Sequence, residues 1–138
     1  MEFITSSEKE TKLLASKFSK KLKTGDVVLL IGPLGAGKTV FAKGILKGLG
    51  EKEDSVRSPS FTLIREYHTK QGKVYHIDLY RLRRKEELIN LGYQDYFYSP
   101  SAVVLVEWAN KVEGLIPKGK KVIIDFLGIN KRRIKIIE

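Results

Sequence analysis

Apolar positions in this chain fall into short runs separated by glycine-rich or charged stretches, and their period changes along the sequence. Leu14, Phe18 and Leu22 recur every fourth residue, so residues 6–22 are expected to form an amphipathic helix after a short opening strand that ends at Ile4. Thr5-Ser6-Ser7-Glu8 has the form of a capping box, with Thr5 as N-cap and Glu8 at the third helical position. Gly25-Asp26 turns the chain into Val27–Ile31, an unbroken apolar run that reads as a buried strand. Val40–Leu49 reads as a helix with a glycine stop at Gly48-Leu49-Gly50. Residues 51–60 are polar with one proline and read as a loop.

Phe61–His68 and Lys73–Leu79 are strand-like runs joined by the turn Thr69-Lys70-Gln71-Gly72, hence antiparallel neighbours that make the sheet mixed. Residues 84–91 form a short helix stopped by Gly92. The aromatic cluster Tyr93, Tyr96, Phe97 and Tyr98 after it reads as packing material. Ala102–Val106 is the most apolar strand of the second half, and Lys121–Phe126 with Arg132–Ile137 forms a terminal hairpin around Gly128-Ile129-Asn130.

Between Val27–Ile31 and the helix after it stands Gly32-Pro33-Leu34-Gly35-Ala36-Gly37-Lys38-Thr39, the pattern G-x-x-x-x-G-K-T in a strand-loop-helix context. From average residue usage the pattern arises by chance in roughly half a percent of chains of this length, before its flanks are considered. The glycines allow successive N–H groups to turn toward phosphate oxygens, and the helix dipole points the same way. Lys38 is placed to reach the terminal phosphates, and the Thr39 hydroxyl to bind Mg²⁺. Gly35, Ala36, Gly37, Lys38, Thr39 and Val40 are therefore the expected phosphate-side contacts.

Such a site needs a carboxylate at the end of a neighbouring buried strand. Three compete: Glu107, which follows Ala102–Val106; Asp78, at the end of His76-Ile77-Asp78-Leu79-Tyr80-Arg81; and Asp125 in the terminal hairpin, in that order of preference. Alternation places His76, Asp78 and Tyr80 on one face, with His76 read as part of a structural hydrogen-bond cluster. Asn110-Lys111-Val112-Glu113 comes close to the guanine-reading N-K-x-D, but ends in Glu and does not follow its strand directly. Adenine is therefore expected over guanine.

Composition sets the outer limits. A length of 138 residues fits one domain, and the absence of cysteine excludes disulfides, thiolate metal sites and thiol nucleophiles. No run approaches a membrane span, no leader-like stretch opens the chain, and a cytoplasmic protein is expected. The net charge of +10 suits an anionic partner, RNA or an acidic protein, although scattered lysines on a solvated surface account for much of it.

Five motifs in order resemble the bacterial TsaE family across essentially the whole chain: Gly32–Thr39, Ser58-Pro59-Ser60-Phe61, His76–Arg81, Leu91-Gly92 with Asp95-Tyr96-Phe97, and Val106-Glu107-Trp108-Ala109. The resemblance implies a three-layer α/β phosphate-loop NTPase-like fold with a mixed, partly antiparallel sheet. It implies Mg²⁺-dependent ATP hydrolysis, weak in isolation, that supports tRNA threonylcarbamoyladenosine synthesis by resetting a complex of TsaD and TsaB. Residue by residue, it implies Lys38 and Thr39 as phosphate and Mg²⁺ contacts, Glu107 as the Mg²⁺-side carboxylate, Asp78 as a required acid, and Trp108 with the Ser58–Phe61 segment as neighbouring elements. Glu8 and a basic residue, Arg132 or Arg133, stand where the family has further nucleotide contacts, with Arg133 preferred. Pro33 replaces a frequent acidic residue and Ser60 a usual Thr. No residue declares itself as an arginine finger; Arg57, Arg65 and Arg81 are candidates. Two other readings remain open: a small-molecule kinase, and a nucleotide-gated binding module. Whether tRNA touches the chain directly also stays open.

Overall fold

A computed structural model describes residues 1–51, the backbone of 57–60, residues 63–112 and residues 114–138. The elements run β1 (Glu2–Thr5), α1 (Glu8–Ser19), β2 (Val27–Ile31), α2 (Lys38–Gly48), β3 (Arg57–Ser60), β4 (Ile64–Thr69), β5 (Gly72–Asp78), α3 (Lys85–Asn90), α4 (Gln94–Phe97), β6 (Ala102–Glu107), a 3₁₀ turn (Ala109–Val112), β7 (Lys120–Phe126) and β8 (Arg132–Ile137). The described strands form one sheet in the order β1-β8-β7-β2-β6-β5-β4-β3. β2 lies parallel to both β6 and β7, and β5 lies parallel to β6. The outer pairs, β1 with β8, β8 with β7, β5 with β4 and β4 with β3, are antiparallel.

The mixed sheet therefore stands as expected, with adjustments of boundary. Part of the polar stretch read as a loop is strand: β3 pairs at the sheet's edge with β4. Its Pro59 is tolerable there because an edge strand need not donate from both sides. Helix α1 begins later than its apolar spacing implied. Ser7, not Thr5, is the N-cap, accepting a hydrogen bond from the Glu10 N–H at 3.1 Å, while the Glu10 carboxylate accepts from the Ser6 N–H at 3.0 Å. Thr5 is taken instead by the end of β1, where its buried hydroxyl meets that of Thr11 at 2.7 Å.

Alternation along the central strands sends two sets of side chains to opposite faces. Val28 and Leu30 of β2, Leu105 of β6, Val122 and Ile124 of β7 and Ile134 of β8 pack with Phe18 of α1 and Phe41, Ala42 and Ile45 of α2. Val27, Val104, Val106 and Ile77 face the other way, against Leu88 of α3, Phe97 of α4 and Val112. Burial of each such side chain contributes about 1.5–3 kcal/mol. Helices α1 and α2 approach closely through small residues. A Cβ on Gly44 would sit 2.6 Å from that of Ala15, and one on Gly48 would overlap the Ser19 hydroxyl. Glycine inside a helix costs about 1 kcal/mol against alanine, which the close packing of the two helices offsets. The three layers are complete only over the middle of the sheet. Beyond β2, the second face of β7, β8 and β1 carries exposed Lys121, Asp125, Arg133, Ile137 and Ile4.

Candidate functional site

Parallel pairing brings the C-terminal ends of β2, β6 and β5 to one edge, the place where open α/β sheets take their ligands. In register, Leu30 stands opposite Glu107, and Glu107 opposite Asp78. The turn from β2 into α2 forms one wall of a cleft of about 240 Å³, with Leu34, Gly35, Gly37, Lys38, Thr39 and Val40. Asp78 and Tyr80, following β5, and Glu107 and Trp108, following β6, form the other. Gly32 opens the turn where a side chain would strike the carbonyl oxygen of Ile124 on β7, so the loop can lie flat against that strand.

Glu107 is the acid that faces the loop. Its side chain is 3% exposed. The Thr39 hydroxyl lies 3.4 and 3.5 Å from its two oxygens. The His76 imidazole N–H donates to Oε2 at 2.6 Å. Asp78 lines the same cleft and accepts the Tyr80 backbone N–H at 3.0 Å, an Asx-type turn that holds the carboxylate at the strand end. The third rival, Asp125, is exposed on β7 opposite Arg133 and is not among the cleft residues.

Lys38 is 5% exposed. Its ammonium donates to the carbonyls of Gly32 at 2.5 Å and Pro33 at 3.1 Å, and lies 3.8 Å from the centre of the Trp108 ring. Burial pushes its pKa below the ordinary 10.5, with Glu107 and then Asp78 opposing that shift through their negative charge. Trp108 has a positive φ of 64°, which is strained for an aromatic residue. Its ring also meets Tyr80 at 5.2 Å. Holding a residue at that φ costs about 1–3 kcal/mol.

The β7–β8 hairpin meets the same loop from outside the cleft's lining. Arg132 Nε donates to the Ala36 carbonyl at 2.8 Å, and its guanidinium lies 4.5 Å over the Phe126 ring. Arg132, rather than the preferred Arg133, thus touches the loop. Arg133 pairs with Glu2 at 3.5 Å on the far side of the hairpin. Glu8 is exposed in the first turn of α1 and does not line the cleft. Lys111 donates to the Tyr80 carbonyl and so ties the 3₁₀ turn to the segment after β5; Glu113, the end of its tetrad, lies outside the described residues. Arg65 and Arg81 are exposed and line no part of the cleft. Phe61 and the side chains of Arg57, Ser58 and Ser60 lie outside what is described. His76, Tyr80 and Arg132 are the residues sequence reasoning undervalued. For the first two the signal was present in their shared face with Asp78.

Mg²⁺ is the cation implied by such a fold, and the donors fit it. A hard cation takes oxygen ligands, needs few from the protein and completes its shell with water and substrate phosphate. Thr39 and Glu107 offer such oxygens side by side, and among the described residues no larger cluster of ligating side chains competes.

Strand, loop, helix and facing carboxylate together define an α/β protein of phosphate-loop NTPase-like fold. The crystal structure of YdiB from Bacillus subtilis superposes with a TM-score of 0.78 at 34% identity, covering 99% of this chain and 83% of that one. Residues 5–134 match the family described as threonylcarbamoyl adenosine biosynthesis protein TsaE. Relatives described as tRNA threonylcarbamoyladenosine biosynthesis protein TsaE include that of Aquifex aeolicus, 40% identical over 98% of this chain and 94% of its own length. That of Bacillus subtilis is 39% identical over 97% and 83%. The chain belongs to the TsaE family, proteins of tRNA threonylcarbamoyladenosine biosynthesis. No described helix is long and apolar enough to cross a membrane.

Proposed function

We propose that this protein hydrolyses ATP with Mg²⁺ and thereby resets a TsaD–TsaB complex between turnovers of tRNA threonylcarbamoyladenosine synthesis. The observation that carries this reading is the convergence on one cleft of Lys38 and Thr39 from the loop with Asp78 and Glu107 from two parallel strands. Phosphoryl transfer asks chiefly for positioning and charge neutralisation. Lys38 leaves the Gly32 and Pro33 carbonyls for the terminal phosphates, an exchange of neutral acceptors for charged ones. Loop N–H groups and the start of α2 hold the remaining phosphate oxygens. Thr39 and Glu107 would hold Mg²⁺, which supplies charge neutralisation on the phosphates. Asp78, fixed by the Tyr80 amide, orients the attacking water and accepts its proton. Among the described residues no arginine lines the cleft between the two acids, so a partner that supplies one would account for weak hydrolysis in isolation.

Phosphate release from ATP and from GTP, measured with and without the TsaB–TsaD pair, tests the reading. Stimulation by the pair, preference for ATP, and loss of at least about 100-fold in Asp78→Ala are expected. Asp78→Ala turning over like the unmodified protein would remove Asp78 from the chemistry.

A further inference from the structure

We propose that His76 is a positioning residue for the metal-side carboxylate, a role that rests on the Mg²⁺ site proposed above. Glu107 sits at the end of β6 and His76 two residues before the end of β5. Parallel pairing sets His76 opposite Leu105, so its ring leans along the strand toward Glu107 on the shared face. Both side chains are withdrawn from water, at 11% and 3% exposure, and the bond between them is 2.6 Å long. A short hydrogen bond in so dry a place is electrostatically strong.

Its consequence lies in what it leaves free. A carboxylate has two oxygens and can turn about its last bond. With Oε2 held by the imidazole, the carboxylate is fixed with Oε1 at 3.4 Å and Oε2 at 3.5 Å from the Thr39 hydroxyl, and Oε1 is left without a second partner among the described residues. Without that donor, a buried carboxylate oxygen loses its partner, and the charged donor that lines the cleft is Lys38. The Lys38 ammonium already feels the Glu107 charge. A Glu107 that turns toward Lys38 gives up the cation position. The imidazole keeps the cationic and the cation-binding halves of the cleft apart. Outer partners of this kind typically contribute 10–100-fold in metal affinity.

Three substitutions separate the hydrogen bond from mere packing. Gln places an amide N–H where His carries Nε2, Leu fills the space without a donor, and Asn carries a donor on too short a stem. Mn²⁺ binding in the presence of a non-hydrolysable ATP analogue, followed by electron paramagnetic resonance, reads the metal site without turnover. His76→Leu and His76→Asn are expected to weaken Mn²⁺ by about 10–100-fold, while metal-free nucleotide binding stays within about threefold and His76→Gln recovers most of the loss. If His76→Leu does not fold, as judged by circular dichroism, the Gln–Asn pair still decides. Equal Mn²⁺ affinity in Gln and Asn variants, or a folded His76→Leu with unaltered affinity, overturns the proposal. Intact Mn²⁺ binding with this ranking, in a protein that releases no phosphate even with its partners, would sink the ATPase reading and leave the His76 role standing.

Discussion

On one rim of the cleft, Glu107 is 3% exposed and is held between His76 and Thr39. Outside the cleft's lining, where the β7–β8 hairpin meets the loop, Phe126, Leu127 and Ile129 stand out at 47, 39 and 92% exposure. The first rim is assembled before any ligand arrives, from residues on a helix and two core strands. The hairpin's hold on the loop depends on one arginine, whose guanidinium crosses from Phe126 to the Ala36 carbonyl. Charge chemistry explains the contrast. Buried ions must be partnered at all times or they destabilise the fold, so the ionic rim has to be complete in the free protein. Apolar surface tolerates waiting in water at a cost of roughly 25 cal/mol per Å².

The comparison breaks most sharply at Lys38. Lys38→Met should lower nucleoside triphosphate affinity by on the order of 100-fold or more, since hydrogen bonds to charged groups carry about 1.5–3 kcal/mol each. The melting temperature of the free protein should not fall, because the lost group is a buried ammonium, and calorimetry reads both quantities. The pH dependence follows from the lowered pKa. In the folded protein Lys38 gives up its proton below 10.5, so the unfolded chain binds more protons between the two values. Wild type should therefore gain stability relative to Lys38→Met as pH rises through that window, while its nucleotide affinity declines. Denaturant melts of both proteins across alkaline pH, with parallel titrations of nucleotide, would show the opposed slopes.

Smaller effects belong to the hairpin. Arg132→Ala should weaken nucleotide binding by about tenfold, the worth of one hydrogen bond that pins the loop, whereas Arg133→Ala should change it by less than about twofold because its partner is the exposed Glu2. Equal losses in the two variants would mean that the loop gains nothing from the hairpin. The smallest effect is expected for Ile129→Ser, within about 0.5 kcal/mol of wild-type stability. A marked loss of nucleotide affinity in that variant would show that the hairpin's apolar tip closes on the ligand.

What the sequence made legible was local. Val27–Ile31, Ala102–Glu107 and the glycine loop announce themselves through unbroken apolar runs and fixed spacing. Pairing stayed hidden. Arg57-Ser58-Pro59-Ser60 carries no alternation of apolar residues, and becomes a strand only because β4 offers it an edge. Arg132 and Arg133 are adjacent, so alternation sends them to opposite faces. Only the register of β8 against β7 says which one meets the loop. His76 and Glu107 are 31 residues apart, and their bond depends on a parallel pairing across two helices. The start of α1 is hidden for a related reason. A threonine that suits a cap equally suits the end of a strand, and the Thr11 hydroxyl decided between them.

The place of β8 between β7 and β1 carries a lesson about order in time. β1 pairs with no described strand except β8, and the Met1 carbonyl accepts from the Ile136 amide across a separation of 135 residues. During synthesis β1 emerges early and stays unpaired until β8 has left the ribosome. The phosphate loop waits as well, because Arg132, its outer clamp, lies on that same late strand. Nascent chains stalled before residue 132 should thus bind nucleotide poorly even with every loop residue already made.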